Sequence, residues 1–411
     1  MRGKDHARIQ LLENIDHFPT VTPKSRRALL TLAPEAWLIA VNEYPQIRLF
    51  NYYGLTYEIV RALNENGYVV DIADLNREHI PAKHYDLFVG HGGRCRDIID
   101  NLGEDAVIYQ YVSGAHWDTF NRESRQRYER FGKSRGVPVP ERFRRDLTEA
   151  LEGEEYLLQK ADCLFTIDCP RMVASFGPHR SKFFFTGLGA YIDKNLLLLP
   201  PAERDHDAGR RNFIYVGGTG GNIQKGLDIL LETFAATPAL HLFIYCKVEV
   251  EISNHYKEEL ALPNIHYIYH LRHPFFSARL KRLMRKISFS IHAPINCGMG
   301  TAFMGTLGLG LIPVGYVDLN EDPECTVLCH DWGVDSIKEC IERASAKDAG
   351  WCREASARIT RVYDHLCGSS SLRSRFNELF SDAQRLKVQR HKCSVAAKAG
   401  STMGATIPES E

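Results

Sequence analysis

Two consecutive series of short apolar runs, each followed by a longer amphipathic stretch, constrain this chain more than any other feature of it. The first series occupies 37–41, 68–72, 86–89, 106–109, 163–167 and 182–185; the second occupies 212–216, 240–245, 265–268, 287–291, 311–314 and 326–328. Strand-length runs with little polar alternation belong to parallel sheets covered on both faces. Helices between the runs supply that cover, and the stretch from Leu55 to Asn64, ended by Gly67, predicts the first of them. The expected fold is therefore α/β, with two Rossmann-like doubly wound domains facing a central cleft. Ligands should bind at the carboxyl ends of strands, in or beside that cleft. The 411-residue length fits, because a single core rarely grows beyond ~250–300 residues.

A Pro- and charge-rich gap at 199–211 separates the two series. Residues 1–34 are charged and mixed, with weak helical periodicity from Ile9 to Ile15, and are expected to form an N-terminal extension. The N-terminal domain then spans 35–190 and the C-terminal domain 191–366. Trp351, Ala355, Ile359, Val362 and Leu366, then Leu372, Phe376, Leu379 and Phe380, are spaced for helices with one buried face. The second of these helices, within 367–384, is expected to pack back on the N-terminal domain. Residues 385–411 are basic and small and predict a disordered tail.

Lys plus Arg balances Asp plus Glu, 51 against 51, which removes the case for a nucleic-acid binder resting on a positive field. Eleven cysteines without a CxxC pair read as reduced thiols of a cytoplasmic protein. Cys325, Cys329 and His330 are metal-ligating residue types, but no second cluster faces them, and no metal site is expected. No run approaches the ~20 apolar residues of a membrane span. The chain reads as soluble, or at most peripheral at a membrane.

The clearest local signal runs Phe213-Ile214-Tyr215-Val216-Gly217-Gly218-Thr219-Gly220-Gly221-Asn222-Ile223-Gln224-Lys225-Gly226-Leu227. A strand enters glycines and then a helix whose start carries a lysine. Backbone N–H groups, helix dipole and ammonium there converge as they do around a bound phosphate. A dinucleotide fingerprint is the rival, but G-x-G-x-x-G is not matched and the acidic candidate Glu249 lies too far along. No Gly-Lys-Ser/Thr is present for a P-loop.

These residues resemble a known family. Tyr215-Val216-Gly217 followed by Lys225-Gly226-Leu227-Asp228-Ile229-Leu230 looks like the opening of the donor domain in GT-B glycosyltransferases of the GT4 type, which are retaining and use nucleotide sugars. The segments 62–70, Gly187-Leu188-Gly189-Ala190-Tyr191-Ile192-Asp193 and Gly310-Leu311-Ile312-Pro313-Val314 are similar to three further segments of that family, in the same order. The resemblance covers roughly 36–380 and implies a donor diphosphate held at Gly217, Gly218, Lys225, Gly298, Gly300 and Thr301. In the family, two glutamates contact the donor sugar and ribose. Counting back from Gly310 puts them at Cys297 and Gly305, so both carboxylates are missing. An arginine that usually helps neutralise the diphosphate is replaced by Gly218, leaving Lys225 as the cation of the motif; Arg272 and Arg285 are candidate substitutes. The family pattern also places a histidine at His116, close to the reacting sugar, with a structural loop histidine as the blander reading. His91 is read as a turn residue or as a cleft-lining one. Asn51-Tyr52-Tyr53-Gly54 stands where acceptor contacts are placed, without the usual Gly-Gly.

Nine basic residues lie between Arg122 and Arg145. They form either a solvated face or a lip that attracts an anionic acceptor or a membrane surface. The resemblance implies a glycosyltransferase, metal-independent because no DxD-like cluster is placed for an ion, without a cofactor, taking a nucleotide-sugar donor and a glycan or lipid-linked acceptor. The alternative is a catalytically inactive GT-B homologue that binds nucleotide or glycan. An NAD-dependent oxidoreductase using 217–221 is a third reading.

Overall fold

The computed structural model describes residues 11–20, 24–32, 34–42, 52–74, 83–91, 95–138, 148–166, 170–186, 203–217, 221–268, 282–295, 301–317, 322–367, 373–383 and 385–386. In the first domain β1 (Leu11–Ile15), β2 (Arg26–Thr31), β3 (Tyr68–Ala73), β4 (Leu87–His91), β5 (Val107–Tyr111), β6 (Cys163–Thr166) and β7 (Phe183–Phe185) form one sheet, ordered β1-β3-β2-β4-β5-β6-β7. Only β1 runs antiparallel, against β3.

The second domain is built on β8 (Asn212–Val216), β9 (His241–Tyr245), β10 (Ile265–Tyr267), β11 (Phe289–His292), β12 (Ile312–Gly315) and β13 (Val327–Leu328). They are all parallel and ordered β10-β9-β8-β11-β12-β13. Strand order reverses between β8 and β11, so the crevice at their carboxyl ends is the switch point of a doubly wound sheet. The corresponding point in the first sheet lies between β2 and β4. β11 and β12 are buried throughout, as strands covered on both faces must be. Phe213 of β8 stacks on Phe289 of β11 at 5.0 Å and meets Phe234 edge-on at 5.5 Å, which ties the central strands to the helix Leu227–Ala235.

Three expectations need correction. The stretch with helical periodicity from Ile9 to Ile15 supplies β1, whose Leu11, Leu12 and Ile15 pair with β3 at the edge of the sheet. The run at 37–41 lies in a helix, Pro34–Asn42, started by a proline in its first turn with Glu35 beside it. The strand that 37–41 was expected to supply is β2, inside the stretch read as an extension. It sits between β3 and β4, with Ala28 to Thr31 buried. The first domain therefore begins before residue 35.

The helix at 373–383 lies against the first domain. Phe376, Leu379, Phe380 and Ala383 share a core with Leu30, Val70, Leu87 and Phe165, and Tyr109 Oη donates to the Leu379 carbonyl at 3.2 Å. Arg373 pairs with Glu65.

The helix Trp117–Arg135 leaves the first domain and packs on the second. Arg130 bonds Asp228 Oδ2 at 3.2 Å and pairs with Glu232; Arg135 bonds Glu259 at 2.6 Å and lies over the Tyr256 ring at 3.6 Å. Arg127 is completely buried at the same junction. Three residues of the basic cluster thus hold the two domains together, a role that neither the solvated face nor the membrane lip anticipated. Arg122, paired with Asp118 at 3.4 Å, is exposed. No helix among the described residues is long and apolar enough to cross a membrane.

Candidate active site

The carboxyl end of β8 opens directly into Gly217, whose N–H donates to the Tyr245 carbonyl at 3.1 Å. A Cβ there would stand 2.8 Å from Cys246 Cβ and 2.9 Å from the Tyr215 ring, so only glycine fits. Further along, the Glu249 carboxylate accepts from the N–H of Gly221 at 3.0 Å and of Asn222 at 2.7 Å, while Asn222 Oδ1 accepts from Glu249 N–H at 2.7 Å. The amides of Lys225 and Gly226 bond the carbonyls of Gly221 and Ile223. The amides of Gly221, Asn222, Lys225 and Gly226 are therefore engaged within the protein. What Gly217 offers a ligand is space, and the cation is the half-buried Lys225. Burial pulls the Lys225 pKa down, and the charges of Cys246 and Glu249 oppose that shift.

Gly226 follows in the left-handed region, φ +85°, and starts the helix Leu227–Ala235. Its α-carbon is pressed against Ala293, the first residue past β11: a Cβ would stand 2.3 Å from the Ala293 carbonyl oxygen. Ile295 N–H donates to the Gln224 carbonyl at 2.9 Å. The lysine loop and the start of the segment after β11 are thereby joined at the switch point. The helix Thr301–Gly308 resumes the chain beyond, with Gly305 buried inside it.

His292, at the end of β11, is buried between Phe303, edge-on at 4.6 Å, and Tyr215, at 6.2 Å. Its Nε2 has no hydrogen-bond partner among the described residues. Burial drives its pKa down to about 3. An unfolded histidine takes a proton below about pH 6.5 while the folded one does not, so the unfolded state gains relative stability as pH falls from there toward 3. Between pH 7 and 5 this histidine is expected to cost about 2 kcal/mol of folding stability. Urea unfolding at both pH values should show the loss, and His292→Leu should remove most of it. An unchanged pH slope in the variant would show that His292 already titrates normally in the folded protein.

On the first-domain side His116 follows β5 and caps the helix Trp117–Arg135. Its backbone N–H donates to Ser175 Oγ at 2.9 Å, and its Nε2 lies 3.5 Å from the Glu155 carboxylate. The ring rests against Trp117 and Phe176. Glu155 also meets His179 at 3.5 Å, and although burial raises its pKa, bonds to Gln159, His116 and His179 bring it below the usual value. His91 sits at the first sheet's switch point, its N–H donating to Thr31 Oγ1 at 3.1 Å and its Nε2 3.1 Å from Ser113 Oγ. Burial lowers its pKa to about 4, so it is neutral at pH 7.

Arg285 does not substitute for the missing arginine. It precedes β11, at the amino end of the sheet, and pairs with Glu203 at 2.9 Å in solvent. Gly218, Arg272, Cys297, Gly298, Gly300, Asn51 and 187–193 lie outside the described residues, as does the tail beyond 386. Thr301 opens its helix. Cys329 Sγ donates to the Asp331 carbonyl at 3.2 Å, and among the described residues no three His, Cys, Asp or Glu side chains converge on a metal position. Three residues that the sequence does not single out belong to this region, Ser124, Arg171 and Ala293, and so does Arg127 of the basic cluster. The spacing of three between Ser124, Arg127 and Arg130 on a helix was the available signal for a shared face.

No family model matches the chain, and no curated protein does. Among solved structures, it is similar to sucrose-phosphate synthase from Thermosynechococcus elongatus, with TM-score 0.60 and 13% identity over 87% of this chain and 99% of that one. It is also similar to Alr3699/HepE from Anabaena, solved in complex with UDP, with TM-score 0.53 and 10% identity over 87% of this chain and 100% of that one. At such identities the likeness concerns the fold: two Rossmann-like α/β domains on parallel sheets, the GT-B architecture.

Proposed function

We propose that this chain is a retaining glycosyltransferase of the GT4 type, moving a sugar from a nucleotide-sugar donor to a sugar or lipid-linked acceptor. The observation that carries the reading is the position of Gly217 and Lys225 at the switch point of an all-parallel sheet, on the side where the first domain brings the helix capped by His116. The GT-B fold, and the UDP bound to one protein that shares it, support a nucleoside diphosphate as the group recognised.

In the reaction the bond between anomeric carbon and diphosphate breaks and negative charge grows on the leaving group. Lys225 stabilises that charge, and being half-buried it acts where water screens it less. Gly217 admits the diphosphate close to the main chain, joined by Gly218, Gly298, Gly300 and Thr301. His116, with Glu155 beside it, supports the sugar as positive character develops. The acceptor hydroxyl attacks from the first-domain side. Charge compensation rests on Lys225 rather than on a divalent ion, with Cys297 and Gly305 at positions where carboxylates would contact sugar and ribose.

Those two positions favour a second reading, a protein that binds the nucleotide without turnover. Both readings predict that a matching nucleoside diphosphate at ~100 Kd adds ~2.7 kcal/mol to the domain that binds it, or ~5–10 °C in Tm. UDP should be tried first, then GDP, ADP and dTDP, followed by their sugars with NMR of the product anomer. Retained configuration supports the transferase. Binding with turnover only after Cys297→Glu supports the silent protein. No shift with any nucleotide would overturn both.

A further inference from the structure

Two first-domain arginines donate to main-chain carbonyls of the second domain just past two neighbouring parallel strands. Arg127 Nη2 donates to the Ala293 carbonyl, one residue past β11, with its guanidinium 4.2 Å from the Trp332 ring centre. Arg171 Nη2 donates to the Val317 carbonyl at 2.7 Å, two residues past β12, with its guanidinium 3.9 Å from the Tyr316 ring centre. A planar guanidinium can stack on a ring and bond a carbonyl at once, which an ammonium does poorly. An apolar side chain would occupy the wholly buried Arg127 position at lower desolvation cost, but it could not hold a carbonyl.

Each contact leads to a candidate functional loop. The Ala293 carbonyl held by Arg127 is the atom packed on Gly226. One turn earlier on the same helix, Ser124 Oγ accepts from Gln224 Nε2 at 3.2 Å, and the Gln224 carbonyl accepts from Ile295 N–H. Ser124 and Arg127 therefore grip 224–226 and 293–295 as one unit. Arg171 neighbours Met172, whose carbonyl accepts from Ser175 Oγ, the same hydroxyl that accepts from His116 N–H.

We propose that Arg127 and Arg171 are a pair of positioning residues that clasp the carboxyl ends of β11 and β12 and set the donor loops against His116. The functional meaning of the clasp rests on the glycosyltransferase reading, but its mechanical action does not. Full-length Arg127→Met, Arg171→Met and Arg135→Met proteins should be compared by hydrogen–deuterium exchange and by UDP titration, at a temperature where each is folded. Arg135 serves as control, being at the same interface but bonded to Glu232 and Glu259 away from the loops.

The clasp predicts at least tenfold faster exchange in 221–226 and 289–295 for Arg127→Met and in 312–317 for Arg171→Met. UDP affinity should fall about tenfold in both, and Arg135→Met should lower Tm with neither effect. Should Arg127→Met fail to fold, Ser124→Ala and Arg171→Met carry the test. Unchanged exchange in the loops, or equal acceleration in Arg135→Met, overturns the proposal. If wild-type protein binds no nucleoside diphosphate, the transferase reading fails while the exchange comparison still decides the clasp.

Discussion

Gly226→Ala is expected to lose about 3–5 kcal/mol of stability, a large part of the ~5–15 kcal/mol a domain possesses. Two penalties add. A side chain at φ +85° costs ~1–2 kcal/mol. The added methyl would also sit 2.3 Å from the Ala293 oxygen and 2.7 Å from its carbonyl carbon, atoms of a main chain held by Arg127 and β11, so it cannot be relieved by a rotamer change. Gly136→Ala separates the two terms: its φ is +65°, but nothing lies within 4 Å of the added carbon, so only the first penalty applies. Urea unfolding of both variants checks this. Equal losses would mean that the β11 segment yields freely and that the lysine loop is not wedged against it.

Lys225→Met is expected to weaken nucleoside diphosphate binding about 30–150-fold, from the ~2–3 kcal/mol of a charge-assisted contact. Under the proposed transfer reaction turnover should fall further, by ~10²–10³, because the charge that Lys225 would oppose is greatest in the transition state. Folding stability should change little, since burial disfavours the ammonium while Glu249 favours it, and methionine keeps all but the terminal atom of the side chain. Calorimetric titration with UDP, beside Tm without ligand, distinguishes these effects. Affinity within threefold of wild type would place the diphosphate elsewhere.

The central strands of the second domain were legible because they are buried on both faces and read as unbroken apolar runs, as at Phe213 to Tyr215 or Ile312 to Val314. β2 was not, because only Ala28, Leu29 and Leu30 are apolar in it and two arginines precede them. The helix at 34–42 had its start signal in Pro34 and Glu35, and the apolar run that followed hid it. For the candidate site, sequence showed glycine and lysine types but not that Glu249 takes the amides of Gly221 and Asn222, since that pairing depends on where β9 delivers the chain. Nor can a basic run say which of its members faces solvent. Arg122 and Arg127 look alike in the sequence, and only the packing of the second domain separates an exposed residue from a buried one.

The helix at 373–383 makes the first domain discontinuous along the chain. Phe380 stacks on Tyr109 and Phe376 meets Phe165 edge-on, across more than two hundred residues of sequence. During synthesis, emerging at ~5–20 residues per second, the six described strands of the second domain are outside the ribosome before the first domain receives the side chains of 373–383 that fill its hydrophobic interior. The part made first is thus the part finished last, and in the interval the surface around Tyr109, Leu30 and Phe165 is what a nascent-chain chaperone would meet.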